Sequence, residues 1–415
     1  MSAFAREGTE LGCDGVRLAS IAAEVGTPVY VYSAATIRDR VQRLRAAFGA
    51  HPHAIHYALK ANSNLGVVRA IRAAGALVDA NSGGEIDVAL RAGFTPEEIV
   101  FTGVGKTPAE IDKAVALGVK AINAESGGEL QRIAIVARRR RTTARVALRV
   151  NPNIASNSHP HISTGLSVHK FGVPIDDARS VIRNAVCEDL KFVGLHVHVG
   201  SQMLGLDPIR QAAVAVVRLA NVLRDDGVVL EHLDLGGGLG IAYRDEEVEQ
   251  VPAFDRYALT LLDTVRSSGL ATIVEPGRAI VGPAGALVAS VVDVKPRPGG
   301  TWFVVLDAGM SELMRPALYG AYHRIELVTT DARDPVPCDV VGPICETSDV
   351  FGVERLLPKP DLGALVAVFD AGAYGAAMAS NYNRHPLPAE TLVDDGRWRV
   401  VRRRQTIEDQ LVGED

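Results

Sequence analysis

The sequence predicts an α/β fold in which a (β/α)8 barrel of the TIM type is joined to a second, all-β domain with a sandwich or barrel-like core. The first observation is a repeat, because short apolar strand candidates recur every 22 or 23 residues with an amphipathic helical stretch in each interval. Longer units then bring the strand candidates to eight. They begin near Ala54, Leu77, Ile99, Ala121 and Ala144, and lie at Phe192–Val199, Leu230–Leu235 and Thr272–Glu275. Eight strands alternating with helical crossovers favour a closed parallel barrel, whose active site gathers at the carboxyl ends of the strands.

The second observation is a change of sequence pattern at residue 284, after which the sequence predicts valine-rich strands separated by Gly, Pro and Asp turns. The predicted strands of this part are Leu287–Val294, Trp302–Asp307, Ile325–Thr329, Asp339–Val341, Ala364–Phe369 and Trp398–Arg402. The stretch 1–33 does not join the repeat, and we expect its strand candidate Pro28–Tyr32 to complete the β-domain. The predicted segments are therefore an N-terminal stretch at 1–33, the barrel at 34–283 and the β-domain at 284–415.

Three helix starts within the repeat carry the pattern of a capping box, in which Ser or Thr is followed three residues later by Glu. They are Ser82-Gly-Gly-Glu85, Thr107-Pro-Ala-Glu110 and Ser126-Gly-Gly-Glu129. The sequence thus predicts helices that begin directly after these residues.

The composition limits the kinds of molecule that the protein is expected to bind. The chain has 415 residues, a net charge of -5 and a pI near 6.1, so it offers no basic field for nucleic acid, and we expect a small-molecule ligand. The four cysteines form no metal-type pair, which is typical of thiols in a reducing compartment. Neither a signal peptide nor a stretch of membrane-spanning length is found, so the sequence predicts a cytoplasmic location and no membrane partner.

Lys60 follows the first strand candidate of the repeat, where a buried strand gives way to a loop. Desolvation at such a place lowers the pKa of an ammonium group and frees the amine to form a Schiff base. The alternative is an ordinary surface lysine at a strand end, and the downstream motifs decide between the two.

Gly236-Gly-Gly238 follows the seventh strand candidate, and the loops after strands seven and eight of this fold are its habitual phosphate site. A tight turn between strand and helix is the alternative explanation. His196-x-His198 places two imidazoles on one face of a strand, which suits either a metal pair or buried, hydrogen-bonded histidines. Because no further histidines follow the neighbouring strands, we expect no metal.

Glu275-Pro-Gly-Arg278 follows the eighth strand candidate, and the simplest interpretation of Glu275 and Arg278 is a salt bridge. A carboxylate beside a phosphate loop needs a cation, however, and a protonated pyridine nitrogen is one. An electron sink, a Schiff-base lysine and a phosphate cradle are together the needs of pyridoxal 5′-phosphate. We therefore expect this cofactor in the barrel.

In these motifs the chain resembles the fold type III, alanine-racemase-like decarboxylases that use pyridoxal phosphate. Within that group it resembles the diaminopimelate decarboxylases, and the resemblance extends from about residue 28 to 408. The matching segments are Tyr57-Ala-Leu-Lys-Ala-Asn-Ser-Asn64, Asn151-Pro-Asn, His161-Ile-Ser-Thr-Gly-Leu166, Lys170-Phe-Gly172, His196-Val-His-Val-Gly-Ser-Gln202, Asp234-Leu-Gly-Gly-Gly-Leu-Gly240, Glu275-Pro-Gly-Arg278, Arg315-Pro-Ala-Leu-Tyr-Gly-Ala-Tyr-His323, Gly342-Pro-Ile-Cys-Glu346 and Asp370-Ala-Gly-Ala-Tyr-Gly375. Thr347 departs from the serine that is usual in the family.

The resemblance implies roles for individual residues. Lys60 would hold the cofactor, His198 would stack on its ring and Glu275 would pair with the pyridine nitrogen. The phosphate would be served by Ser201, Gly236, Gly237, Gly238 and Tyr374, and Gly277 and Arg278 are further predicted cofactor contacts. Cys345 would donate a proton, and Cys345 and Glu346 would enter the site from the partner subunit of a homodimer.

The substrate follows from charge. Arg278, Arg315 and Tyr319 offer donors for a carboxylate, and Tyr374 is a further predicted contact, while Glu346 would take a distal ammonium group. A ligand with an amino-acid group at both ends fits, and the family resemblance implies that the reaction is decarboxylation of meso-2,6-diaminopimelate at its D-centre to L-lysine and carbon dioxide, the last step of lysine biosynthesis. Alternatives are a decarboxylase for another carboxylated diamine, for ornithine or lysine, or for a carrier-bound glutamyl group. A barrel protein that carries the cofactor without turnover is a more remote one.

Overall fold

The computed structural model describes residues 3–154, 170–297, 299–330 and 333–414, so the His161–Leu166 segment lies outside the described residues. The chain divides into two compact units. The β-unit comprises 1–39, 242–248 and 280–415, and the barrel unit comprises 40–241 and 249–279. The domain boundaries predicted from the sequence, at 33/34 and 283/284, stay a proposal.

The barrel unit contains eight parallel strands that close on themselves, because strand one pairs with strand eight as well as with strand two. In chain order the strands are His53–Ala58, Leu77–Ala80, Ile99–Phe101, Ala121–Ala124, Ala144–Asn151, Leu190–His196, His232–Asp234 and Ala271–Val274. A short strand, Val173–Pro174, extends the pairing of strand five. The predicted barrel is confirmed, and the first five strands begin within one residue of their predicted starts.

Helices fill the intervals between the strands. The helices of the barrel unit are Leu65–Ala73, Gly83–Ala92, Pro108–Leu117, Gly127–Arg140, Ile175–Ala185, Asp207–Asp225 and Phe254–Val265. Further helices along the chain are Leu18–Val25, Ala34–Ala47, Arg278–Val281, Arg315–Tyr319 and Ile407–Leu411. Among the described residues, no helix is both long and apolar enough to cross a membrane.

The three predicted helix starts are found, but only one is a complete capping box. Thr107 and Glu110 bond reciprocally, as predicted. Ser82 and Ser126 do accept from the N–H groups of Glu85 and Glu129. Their glutamates reach elsewhere, however, because the Glu85 carboxylate accepts from the Asn81 N–H and that of Glu129 pairs with the buried Lys106. The reciprocal half of the prediction is wrong at these two helices, since tertiary partners compete with the cap.

The β-unit is built around one large sheet in which the N-terminal strand Val29–Ser33 lies between Gly285–Arg297 and Ala389–Asp394. The prediction that the N-terminal stretch completes the β-domain is therefore confirmed. The other strands are Phe4–Glu7, Glu10–Cys13, Val16–Arg17, Thr301–Leu306, Ile325–Leu327, Pro335–Val341, Val350–Pro358, Leu365–Val368 and Arg397–Arg402. Its core gathers buried side chains from both ends of the chain, such as Leu18, Val288 and Phe369.

Candidate active site

Lys60 lies in a single 3-10 turn, Leu59–Ala61, directly after barrel strand one. Its Nζ donates to Asn81 Oδ1 at 3.2 Å and lies 3.7 Å from Asp79 Oδ2. Its side chain is 36% exposed, whereas that of Asp79 is fully buried. The amine therefore stands at the barrel mouth, held by Asp79 in the last part of strand two and by Asn81 directly after it.

Asn81 is a site residue that sequence reasoning missed. Its side-chain amide donates to Asp79 Oδ2 at 2.9 Å while its oxygen accepts from Lys60, and its backbone N–H donates to Glu85 Oε2 at 2.6 Å. Burial raises the pKa of Asp79, the charge of Glu275 raises it further, and Lys60 opposes both. Burial also raises the pKa of Glu85 to about 7. A polar residue after a strand is common in any loop, so no signal marked Asn81 beforehand.

Glu275 follows barrel strand eight and is buried beside His196, with Nε2 3.2 Å from Oε2. Burial by itself would raise the pKa of Glu275, but the charge and hydrogen bond of His196 outweigh it, and Lys60 adds to them, so the pKa lies well below its usual range. Asp234, at the end of strand seven, has its pKa raised well above the usual value by burial and then by the charge of Glu275. Of these two neighbouring carboxyl groups, Glu275 therefore favours the ionised form and Asp234 the protonated form.

His196, Asp234 and Glu275 also bring their side-chain ligand atoms within 4.8 Å of one another. The sequence argument against a metal rested on a lack of ligands after neighbouring strands, and that premise is wrong because two carboxylates stand beside the imidazole. The expectation that no metal binds stays a prediction. The hydrogen bond between His196 and Glu275 gives the cluster a role without one.

His198 adopts a defined protonation state. The backbone N–H of Gly237 donates to its Nδ1 at 3.1 Å, so Nδ1 carries a lone pair and the imidazole is neutral. Burial lowers the pKa of His198 well below its usual value, and the charge of Lys60 lowers it further. The ring is therefore neutral, and it lies against the glycine turn after strand seven. Strand six itself ends at His196, three residues earlier than predicted.

The glycine turn after strand seven is required by the backbone around it. Gly236 and Gly238 have φ values of +64° and +109°, and a Cβ on Gly237 would lie 2.1 Å from the carbonyl oxygen of Glu275. Two of its amides are engaged, since Gly236 N–H donates to Asp234 Oδ1 and Gly237 N–H to His198. The tight-turn explanation therefore accounts for all three glycines, and the phosphate role remains a proposal.

Strand eight ends in a turn that lies against the Lys60 turn. A Cβ on Gly277 would come within 2.8 Å of the Ala61 Cβ, and the Ala58 N–H donates to the carbonyl of Pro276. Arg278 is buried, and its Nη2 donates to Ser201 Oγ at 3.2 Å. The structure thus brings together, at one end of the barrel, the predicted residues Lys60, His198, Ser201, Gly236, Gly237, Gly238, Glu275, Gly277 and Arg278.

The remaining predicted residues belong to the β-unit. Arg315 and Tyr319 share the short helix Arg315–Tyr319, in which Arg315 is buried and Tyr319 is half-buried. Arg315 Nη1 lies 2.7 Å from His323 Nε2, and its guanidinium carbon lies 4.6 Å from the ring centroid of Tyr243. Tyr374 has a φ of +58° in the loop after strand Leu365–Val368.

Cys345 and Glu346 stand exposed on a loop between two strands. Glu346 accepts from Tyr382 Oη at 2.6 Å and from Ser348 Oγ at 3.1 Å. The loop is held by buried Asp349, whose carboxylate accepts the N–H groups of Ile344 and Met310 at 2.7 and 2.6 Å. The thiol and the acid are therefore accessible side by side on a braced loop.

A barrel with a lysine, an ionised buried glutamate and a neutral histidine at one mouth defines the class of pyridoxal-dependent enzymes. The family model for the pyridoxal-dependent decarboxylase, pyridoxal binding domain, matches residues 34–282. Diaminopimelate decarboxylase of Neisseria meningitidis serogroup A is 44% identical over 97% of this chain and 98% of that protein. The chain belongs to the diaminopimelate decarboxylase family.

Solved structures agree with this assignment. Diaminopimelate decarboxylase from M. jannaschii in complex with L-lysine matches with a TM-score of 0.94 and 34% identity, covering 100% of this chain and 98% of that one. The Helicobacter pylori enzyme complexed with L-lysine gives a TM-score of 0.91 and 38% identity, covering 95% and 98%. The predicted family and its cofactor are confirmed.

Proposed function

We propose that this protein decarboxylates meso-2,6-diaminopimelate at its D-centre, with pyridoxal phosphate as cofactor, and releases L-lysine and carbon dioxide. The observation that carries the proposal is that Lys60 and the buried Glu275, whose pKa is lowered, both follow barrel strands and lie at the same barrel mouth. Relatives of this name that are similar over the full length, and relatives solved with L-lysine, support the substrate.

The residues at the barrel mouth fit the cofactor. Lys60 is the amine that would hold its aldehyde carbon, and His198 offers a flat, neutral ring for its face. The phosphate would be bound by Ser201, Gly236, Gly237, Gly238 and Tyr374, with Gly277 and Arg278 as further cofactor contacts. When bound, the cofactor supplies a pyridinium ring that accepts the electron pair left by departing carbon dioxide.

The chain's own groups then control charge and protons. Glu275 would keep a proton on the ring nitrogen, because an anion buried at this place stabilises only the protonated ring. His196 holds that carboxylate in place and stabilises its charge through the hydrogen bond at 3.2 Å. The Cys345 thiol would return a proton to the D-carbon after carbon dioxide leaves, which is a general-acid role.

The second end of the substrate sets the specificity. Arg278, Arg315 and Tyr319 would bind the distal carboxylate, with Tyr374 as a further contact, and Glu346 would bind the distal ammonium group. The buried Arg315 favours a carboxylated ligand over ornithine or lysine, whose far end is a plain amine. Decarboxylation of another carboxylated diamine or of a carrier-bound glutamyl group would use the same pair of arginines.

We also propose that the enzyme is a cytoplasmic homodimer in which Cys345 and Glu346 of each subunit serve the other subunit's site. The exposure of both side chains on a braced loop supports this arrangement, and four free cysteines suit a reducing compartment. The cofactor-binding barrel at 34–283 and the β-domain at 284–415 remain the proposed domain division.

The test is release of lysine and carbon dioxide by the cofactor-loaded enzyme, with meso-diaminopimelate, L,L-diaminopimelate, lysine and ornithine compared side by side. We expect turnover of the meso isomer alone, and turnover of ornithine or lysine instead would contradict the substrate. Lys60→Ala should abolish turnover and lose the cofactor on gel filtration. The matched control is Lys191→Ala, because Lys191 is 54% exposed and pairs only with a surface glutamate in the described structure.

A further inference from the structure

His323 is a fully buried histidine of the β-unit that the proposed chemistry does not use. Its Nδ1 lies 2.7 Å from the carbonyl oxygen of Phe369, and its Nε2 lies 2.7 Å from Arg315 Nη1. A carbonyl oxygen can only accept, so Nδ1 carries the hydrogen. A guanidinium can only donate, so Nε2 carries the lone pair. The two partners together fix a neutral imidazole in a single tautomer.

The acceptor of this histidine is itself rigid. His323 nearly adjoins strand Ile325–Leu327, which pairs antiparallel with strand Leu365–Val368. The N–H of Phe369 donates to the carbonyl of Arg324 at 2.9 Å, so both polar backbone groups of Phe369 bond to the segment that carries His323. The imidazole is therefore anchored to a strand pair rather than to a loose loop.

Arg315 rests on this anchored imidazole and on one aromatic ring. Its guanidinium lies over Tyr243 at 4.6 Å, and the Tyr243 ring meets His323 edge-on at 5.3 Å with an interplanar angle of 75°. A planar guanidinium that is held at one nitrogen and along one face has a set orientation. Such a set orientation is what two-point binding of a carboxylate requires.

We propose that His323 is a positioning residue for substrate recognition, which orients Arg315 toward the distal carboxylate of the substrate. The proposal rests on the proposed function, because it takes Arg315 as a carboxylate-binding group. It adds a residue that makes this recognition specific, since an unrestrained arginine would bind the same carboxylate at an additional entropic cost. His323 acts through Arg315 and does not itself touch the ligand.

Two substitutions separate the two hydrogen bonds of His323. In His323→Gln the side-chain oxygen falls near the place of Nε2 and can still accept from Arg315. In His323→Asn the amide falls near Nδ1, so the bond to Phe369 is kept while the acceptor for Arg315 is lost. The pair is therefore matched in polarity and differs in the one contact that the proposal concerns.

The measurement is calorimetric titration of each cofactor-loaded variant with L-lysine and with cadaverine. L-Lysine keeps the carboxylate of the distal centre, and cadaverine is the same molecule without it. We expect His323→Asn to raise the Kd of L-lysine about tenfold, while His323→Gln changes it less than about threefold. The Kd of cadaverine should stay within about twofold in both variants.

An equal loss for the two ligands would overturn the proposal, because it would mean general damage to the site. The proposal also fails if His323→Asn binds L-lysine normally while Arg315→Lys does not. If Arg315→Lys leaves L-lysine binding unchanged, the role of Arg315 in the proposed function is what fails. Should His323→Asn not retain the cofactor, His323→Met fills a similar volume without an acceptor, and the same selective loss of L-lysine is expected.

Discussion

The imidazole of His196 and the carboxylate of Glu275 form a buried pair, with Nε2 3.2 Å from Oε2 and side chains 1% and 2% exposed. The pair joins the ends of barrel strands six and eight. Because it stabilises the anionic form of Glu275, the negative charge that would pair with the ring nitrogen exists before any cofactor arrives. The charge state of Glu275 can be tested by comparison with that of the neighbouring Asp234.

Glu275→Gln and Asp234→Asn make the same chemical change at two adjoining carboxyl groups. At Glu275 the change removes a charge, so kcat should fall at least about 100-fold, equivalent to about 3 kcal/mol. At Asp234, whose pKa is raised by burial, the change removes less negative charge, so kcat should stay within about tenfold. Carbon dioxide release measures both, with cofactor absorbance as the check on loading. Equal losses in the two variants would contradict the assignment of charge.

Cys345→Ala tests the proton donor. The variant should keep its cofactor and bind L-lysine, yet lose turnover by about 100-fold or more, because only the general acid is missing. Stopped-flow absorbance and product release would separate binding from turnover. Cys187→Ala is the control, since that thiol is only partly exposed and lies outside the proposed site. Normal turnover by Cys345→Ala would remove the proposed role.

Lys106→Met tests the stability of the barrel unit. Lys106 and Glu129 are 1% and 2% exposed and 2.7 Å apart, and Lys106 also donates to the carbonyls of Gly103 and Asn123. Removal of the lysine leaves a buried carboxylate unpaired, so the free energy of unfolding should fall by about 3 to 5 kcal/mol. Urea unfolding measures it. Lys113→Met breaks an ion pair with Asp87 that is far more exposed than the pair of Lys106 with Glu129. This substitution should lower the free energy of unfolding by less than about 1 kcal/mol.

Glu85 should make stability depend on pH. Its pKa in the folded protein is about 7, raised from 4.5 by burial, so the folded state binds more protons between these values than the unfolded state does. Its contribution is present below pH 4.5 and is lost as the pH rises through 7. Because Glu85 is only partly buried, we expect its contribution to the free energy of unfolding to be less than about 3 kcal/mol.

Urea unfolding of the native protein and of Glu85→Gln at pH 5 and pH 8 isolates this contribution. The native protein should lose more stability than the variant across the interval. Glu188→Gln, at an exposed position, should follow the native protein. Parallel pH profiles for native and Glu85→Gln would show that the folded and unfolded pKa values are alike.

The barrel was predictable because its strands are buried on both faces and so read as apolar runs at a regular spacing. The strand Val350–Pro358 was missed because Glu354 and Arg355 interrupt its apolar pattern and its pairing contains register shifts. The strand Ala389–Asp394 was missed because Glu390 looks like a surface residue. In fact Glu390 is buried, where it accepts from Tyr32 at 2.5 Å and pairs with Arg402.

Single residues of the site were predictable from motifs, but their partners were not. Lys60, His198 and Glu275 each follow a strand, which a sequence can reveal. The contacts of Asn81 with Lys60, or of His196 with Glu275, depend on which residues end neighbouring strands at the same height. The strand register in the closed barrel sets those heights. The spacing of the strands along the chain does not reveal that register.

The position of strand Val29–Ser33 has a consequence for synthesis of the protein on the ribosome. This strand pairs with Val288 on one side and with Ala389 on the other, so both partners are made long after it. At about 5 to 20 residues per second, the strand waits for tens of seconds with two open edges. The barrel residues emerge in that interval and can fold first, because their pairings connect successive segments. The β-unit can close only when nearly the whole chain has emerged, so a nascent chain lacking its last 30 residues is expected to need chaperone protection that the finished enzyme does not.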